Sequence, residues 1–185
     1  MWNDRTALEA AVAAGEHPRF IFFWRPAEAG APTTADCLSQ WTPSPFELDS
    51  ERFLTAEHFM MAGKARLFGD EAARARILAA THPGEVQRIG REVLGFDADR
   101  WEAERSALVI RGNVLKFQQN PAMRSWLLAT GTRVLVEASP VDRIWGIGLA
   151  GTDPRAADPR QWQGLNLLGF ALMQARQQLR ADLPA

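Results

Sequence analysis

Apolar and polar residues alternate along this chain in two rhythms, and the places where the rhythm changes divide it into elements. Asn3 to Ala14 has the composition of a short helix closed by Gly15, and the compact apolar run FIFFW, Phe20 to Trp24, then predicts a buried strand. Pro26 to Ser50 is rich in Pro, Thr, Ser and Ala and predicts mostly loop, with Phe46 and Leu48 alternating around Glu47 in a short edge strand. A helical pattern begins at Thr55, a suitable N-cap, and runs through TAEHFMMAGKARLFGD. Its spacing puts Glu57, Met60, Met61 and Lys64 on one face.

The middle of the chain is helical. Ala72 to Ala80 predicts one helix, Pro83 suits the first turn of another running to Leu94, and Asp99 with Glu102 makes a capping-box-like start for a long helix to Gln119. Asn120-Pro121 breaks that helix and opens a short one ending at Thr130-Gly131, after which Arg133 to Glu137 alternates like a strand. A loop from Gly146 to Gln163, bracketed by Trp145 and Trp162, precedes a last helix from Leu165 to Leu179. The fold class is α+β, a single compact and mostly helical domain with a few short strands.

Composition narrows the class. With 185 residues and 46% hydrophobic content the chain holds one sizeable core. The expected organisation is an N-terminal helical extension over 1–19 and one domain over 20–181. A formal charge of -1 argues against a broad basic surface, so a nucleic acid would be gripped locally, by arginines such as Arg111, Arg155 and Arg160. One cysteine, Cys37, excludes a disulfide framework, and three scattered histidines lack zinc-ligand spacing, so no metal is expected. The N-terminus lacks a signal-peptide pattern and no stretch nears the ~20 apolar residues of a membrane span. A cytoplasmic location without membrane partners is the expectation.

The glycine patterns match neither a P-loop nor a Rossmann fingerprint, Cys37 lies in a Pro- and Thr-rich loop, and no serine sits in a nucleophile elbow. What remains is the pair Glu57 and Lys64. Seven residues apart on a helix, they stand about 10 Å apart along its axis, too far for an ion pair and suited to gripping two ends of a small ligand. The plain alternative is two solvated charges ending an apolar stripe. His58 is turned about 100° from Glu57 and fits a core or supporting role. Trp145 and Trp162 either stack a ligand beside the long loop or anchor that loop to the core.

Five strings, read in order, resemble the NADAR or YbiA-like family: CLSQWTPSPFEL (Cys37 to Leu48), TAEHFMMAGKA (Thr55 to Ala65), KFQQNPAMRSWLLATG (Lys116 to Gly131), LVEASPVDRIWGIGL (Leu135 to Leu149) and WQGLNLLGFALMQAR (Trp162 to Arg176). The likeness spans about Phe20 to Leu179, and five motifs in order with consistent gaps make it specific. It implies a YbiA-like domain and an N-glycosidase, without cofactor, that cleaves the bond between a ribose carbon and a base nitrogen. Two substrate classes follow from the resemblance: ADP-ribose on a nucleobase, notably guanine in DNA or RNA, and the phosphoribosylamino pyrimidines of early riboflavin synthesis. The first is placed ahead, and it implies an ADP-ribosyltransferase as functional counterpart. The alternative of another class is a non-catalytic module that reads ADP-ribose or a nucleotide.

Cleaving an N-glycosidic bond builds positive charge on the ribose ring. The resemblance therefore casts Glu57 as the carboxylate beside that ring or as the group that orients the attacking water. Lys64 matches the family's lysine and is assigned to protonating the leaving group, holding a hydroxyl or phosphate, or forming a Schiff base, with electrostatic positioning placed first. Trp145 is expected to stack on the base or to wall the ribose pocket, with Gly146 and Gly148 letting backbone approach the ligand. Some relatives carry an aspartate where Ile147 stands, so that acid's task is either dispensable here or falls to Asp153. Asn166 opens the last helix, where N–H groups attract phosphate, and Arg176 is expected as a further phosphate contact. Glu137 is expected to pair with Lys64 or Arg176. The family's Ser-Asn-Phe is Ser39-Gln40-Trp41 here, so Gln40 takes the asparagine's contact to ribose or base from one methylene further out.

Overall fold

The computed structural model describes residues 2–28, 30 and 33–182. Within them the order is α1 (Arg5–Ala13), β1 (Phe20–Phe23), β2 (Phe46–Leu48), β3 (Glu51–Phe53), α2 (Ala56–Phe68), α3 (Glu71–Ala79), α4 (Pro83–Arg91), α5 (Ala98–Gln119), α6 (Pro121–Ala129), β4 (Val134–Glu137) and α7 (Leu167–Ala181). The α+β class is the one the sequence pattern implies. β1 and β4 pair in parallel, Phe20 opposite Val134 and Phe23 opposite Glu137. β2 and β3 form an antiparallel hairpin, Phe46 opposite Phe53, turned by Asp49 and Ser50 at φ 52° and 67°. β3 is absent from the sequence expectation because Glu-Arg-Phe shows no apolar alternation and Asp-Ser is a weak hairpin signal.

Local chemistry sets the helix ends. Thr55 caps α2 by accepting from His58 N–H, and Gly69 closes it at φ 74°. α5 starts two residues earlier than the Asp99 expectation because Asp97 Oδ1 accepts the Arg100 N–H at 2.8 Å. α4 stops at Arg91, short of Leu94, where Asp70 Oδ2 accepts the Leu94 N–H at 2.9 Å and draws the chain away.

α5 packs on α7 and α2, α2 on α3 and α4, and α7 on β4, so α2 is enclosed by helices and the β1–β4 pair lies against α7. Phe46, Phe53 and Phe59 form an aromatic cluster, with Phe53 and Phe59 centroids 5.1 Å apart. α1 shares this core: Leu8 is fully buried and the Arg5 guanidinium donates to Gly164 O at 3.2 Å. Among the described residues no helix is long and apolar enough to cross a membrane.

Candidate active site

Parallel strands end together, and beyond the C-terminal ends of β1 and β4 lies a cavity of about 600 Å³. Seven segments wall it: Trp24 to Pro26 after β1, Ser39 to Trp41, one face of α2, Gln87 to Arg91 on α4, Trp101 on α5, the stretch from Glu137 at the end of β4 to Trp145, and Leu168 on α7. Glu57, Met60, Met61 and Lys64 all line it, as the helical spacing implies.

Glu57 is buried near the start of α2, where its N–H donates to Gln40 O at 3.0 Å and ties the 39–41 segment to the helix. Its Oε1 has no partner among the described residues. Burial pushes its pKa up to about 8; the neighbouring Trp41 indole and the Arg91 charge act against that rise, and nearby Asp142 adds to it. Glu137 ends β4 and also faces the cavity, with Oε2 out of solvent and unpartnered among the described residues. Its pKa is likewise raised to about 8, by burial first and then by the charges of Asp142 and Glu57. Two protonatable carboxyls thus share one cavity. Glu137 pairs with neither Lys64 nor Arg176.

Lys64 donates to Gly90 O at 2.7 Å, with its nitrogen 4.3 Å from the Phe96 ring centroid and 5.6 Å from that of Trp101. Burial lowers its pKa, and the carbonyl with two aromatic faces favours the ammonium form. Gln40 lines the cavity with its Oε1 buried and unpartnered among the described residues. Behind it lies Lys116, fully buried, which donates to Ser39 O at 2.9 Å and whose pKa burial lowers to about 8. His58 is taken up in the core between Thr55 Oγ1, 2.8 Å away, and Ala80 O, 3.1 Å away.

Trp145 walls the cavity, held by a turn in which Asp142 Oδ1 accepts the N–H groups of Ile144 and Trp145, both at 2.8 Å. Asp142 itself lines the cavity, and sequence reasoning missed it; the signal was Pro140-Val-Asp142 two residues before an apolar pair, an Asx-turn pattern. Arg25, Arg91 and Trp24 were missed as well, having no spacing pattern to mark them.

Other sequence candidates lie elsewhere. Asp153 caps a short 3-10 turn and pairs with Arg155 at 2.7 Å on the surface, which holds its pKa down at about 2. Arg176 is buried under α6, donating to Thr130 Oγ1 at 2.6 Å and to Arg133 O at 2.9 Å, away from the cavity wall. Asn166 is not a phosphate cradle: at φ 55° it caps no N–H of α7, and its amide bridges β4, donating to Leu135 O at 2.9 Å and accepting Glu137 N–H at 3.0 Å. Gly146 faces its own chain, since a Cβ there would lie 2.9 Å from Glu137 O and 3.0 Å from Asp142 O, and Gly148 serves a turn at φ 69°. Neither lines the cavity. Trp162 is the loop's anchor, buried with its indole N–H on Ala156 O at 2.8 Å.

Comparison with known proteins gives this cavity a context. The NADAR domain family model matches residues 22–180. N-glycosidase R617 of Acanthamoeba polyphaga mimivirus is 41% identical over 146 residues, covering 76% of this chain and 86% of the relative. The chloroplastic riboflavin biosynthesis protein PYRR of Zea mays is 32% identical over 165 residues, 80% of this chain but 24% of that protein. N-glycosidase YbiA of Escherichia coli strain K12 is 31% identical over 145 residues, 78% of this chain and 82% of the relative. The NMR structure of E. coli YbiA superposes with a TM-score of 0.69 at 25% identity, covering 92% of each chain. Family model, sequence and fold agree, and the chain belongs to the NADAR family of N-glycosidases.

Proposed function

We propose that this N-glycosidase releases ADP-ribose from ADP-ribosylated guanine, cleaving the bond between the ribose anomeric carbon and the base nitrogen. The observation that carries the reading is one cavity lined by both signs of charge: Glu57, Glu137 and Asp142 together with Arg25, Arg91 and Lys64. No salt bridge joins the two sets among the described residues. Acids suit a ribose that turns cationic, and cations suit a diphosphate.

The two glutamates differ in what surrounds them. Trp41 and Arg91 favour ionised Glu57, whereas every neighbour that moves Glu137 favours its protonated form. Glu57 is accordingly the carboxylate beside the anomeric carbon, and Glu137 the acid. As the C–N bond breaks, its electron pair goes to the base nitrogen, which takes the Glu137 proton. Water adds to the ribosyl cation, and its proton passes to a carboxylate of the pair. Trp145 stacks the base, Gln40 hydrogen-bonds ribose or base, and Lys64 holds a phosphate or hydroxyl as a fixed ammonium.

The second reading, cleavage of a phosphoribosylamino pyrimidine, is favoured by the likeness to a riboflavin biosynthesis protein. Mass-resolved product analysis separates the two. Pure protein is incubated with guanine-ADP-ribosylated DNA and, in parallel, with the aminopyrimidine ribosyl phosphate. Release of ADP-ribose alone is expected; release of ribose 5-phosphate alone overturns the leading reading in favour of the second.

A further inference from the structure

We propose that Lys116, which does not line the cavity, is a positioning residue for N-glycosidic cleavage: its ammonium holds the Ser39 to Trp41 segment by the Ser39 carbonyl and so places the Gln40 amide against the substrate. The inference rests on reading Gln40 as a contact to ribose or base, and it holds for either substrate class.

The fold alone does not explain this lysine. Lys116 lies on α5 with no exposed surface and forms no ion pair among the described residues. Its nitrogen has the Ser39 carbonyl at 2.9 Å and the Phe117 ring centroid at 5.2 Å. Cys37, the ionisable group that bears on it, is itself buried, with a thiol pushed up to about 11, and supplies no negative charge near neutral pH. A buried cation without a counter-ion costs folding energy, and an apolar side chain of similar volume is often as stable or more so. Nor does the Ser39 carbonyl depend on Lys116, because the Thr42 N–H already reaches it at 3.3 Å.

What the contact does supply is a second fixed point for the cavity wall. The Glu57 N–H ties the segment to α2 through Gln40 O at 3.0 Å, and Lys116 ties it to α5 through the adjoining carbonyl. Two successive carbonyls held from two helices set the direction in which the Gln40 side chain leaves the backbone. That direction matters, since Gln40 Oε1 is buried at the cavity with no partner among the described residues. Backbone placement, and not a hydrogen bond to that oxygen, aims the amide.

A double-mutant cycle on the full chain tests this. Wild type, Lys116→Met, Gln40→Ala and the double variant are compared by thermal unfolding and by steady-state kinetics on whichever of the two N-ribosides the wild type cleaves. If it cleaves neither, the cycle is read in calorimetric affinity for ADP-ribose. Lys116→Met is expected to melt no lower than wild type, yet to lose about tenfold in kcat/KM, mostly as raised KM, the size of one lost hydrogen bond. Lys116→Leu, a second uncharged variant, is expected to behave alike. Gln40→Ala is expected to show a similar loss, and the double variant no more than about twofold beyond the larger single loss, because the two side chains act through one contact. Full activity in Lys116→Met, a lowered Tm or failure to fold in both uncharged variants, a loss confined to kcat, a neutral Gln40→Ala, or losses that add in the double variant overturns the positioning role. If ribose 5-phosphate is released in place of ADP-ribose and the losses still do not add, the positioning role stands and the guanine reading alone falls.

Discussion

The cavity beyond β1 and β4 and the loop from Ala150 to Gln163 use the same residue types to opposite ends. In the loop, Asp153 meets Arg155 and Asp158 meets Arg160 in exposed pairs, and Trp162 turns inward to anchor the segment. In the cavity, two glutamates lie out of water without a cation bonded to either, while Arg25 and Arg91 form no ion pair among the described residues. Exposed pairs satisfied within two residues contribute little and bind nothing further. Buried, unpartnered acids cost folding energy, and such groups persist where a reaction uses them. The comparison teaches that unmet polar demand, more than residue type, separates this site from its neighbour.

Four substitutions break or sharpen that contrast. Glu57→Gln removes the carboxylate but keeps shape, and turnover is expected to fall about 10³-fold with substrate still bound, as single-turnover rates and calorimetry would read. Retained turnover would put Glu57 with the loop acids.

Asn166→Ala comes next. It removes both bonds that fix the end of β4 and places alanine at φ 55°, so a loss of about 2–4 kcal/mol in stability is expected, with activity falling because Glu137 loses its anchor. Denaturant unfolding and kcat measured below the new Tm check the two effects separately.

Lys64→Ala is expected to raise KM about tenfold with a smaller change in kcat, and borohydride added during turnover is expected to trap no adduct. A trapped peptide containing Lys64 would replace the fixed-ammonium role with a covalent one.

The smallest effect belongs to the loop: Asp153→Asn should change kcat/KM by less than about twofold, because an exposed pair on a short turn touches no cavity residue.

Titration gives the contrast a pH signature. Both cavity glutamates have folded pKa values raised to about 8, so the folded state holds protons that the unfolded chain releases from the ordinary carboxylate range upward. Their contribution to stability is therefore full at acid pH and declines as pH rises toward 8. Asp153, with its pKa lowered to about 2, has the reverse sign, its contribution lost as pH falls through that value. Glu57→Gln should flatten the decline in Tm between pH 5 and 8 relative to wild type, and kcat/KM should follow a bell whose limbs belong to the glutamate pair as a unit.

Much of this was legible in the chain itself. Thr55 as a cap, Pro83 and Pro121 as first-turn residues, and the shared face of Glu57, Met60, Met61 and Lys64 follow from short-range chemistry that folding leaves intact. Legibility failed where a side chain's role depends on partners distant in sequence. Nothing local says that the Asn166 amide spans to Leu135 and Glu137, that Arg176 reaches Thr130, or that Trp24 and Asp142 line one cavity at the ends of two strands. The glycines after Trp145 were read as making room for a ligand, yet Gly146 makes room for the carbonyls of Glu137 and Asp142 and Gly148 for the side chains of Gln163 and Arg143, and sequence does not distinguish the two.

The parallel pair that opens the cavity joins strands more than a hundred residues apart, with α2 to α6 between them. Helices of that intervening stretch can form from local contacts, but closing so long a loop is entropically costly and slow. On the ribosome, Glu137 and Trp145 emerge well after Glu57, and the strand carrying Glu137 waits for α7 to bring Asn166 to it. Catalytic competence thus waits on α7: until Asn166 is in place, the strand carrying Glu137 lacks the two amide hydrogen bonds that hold its end.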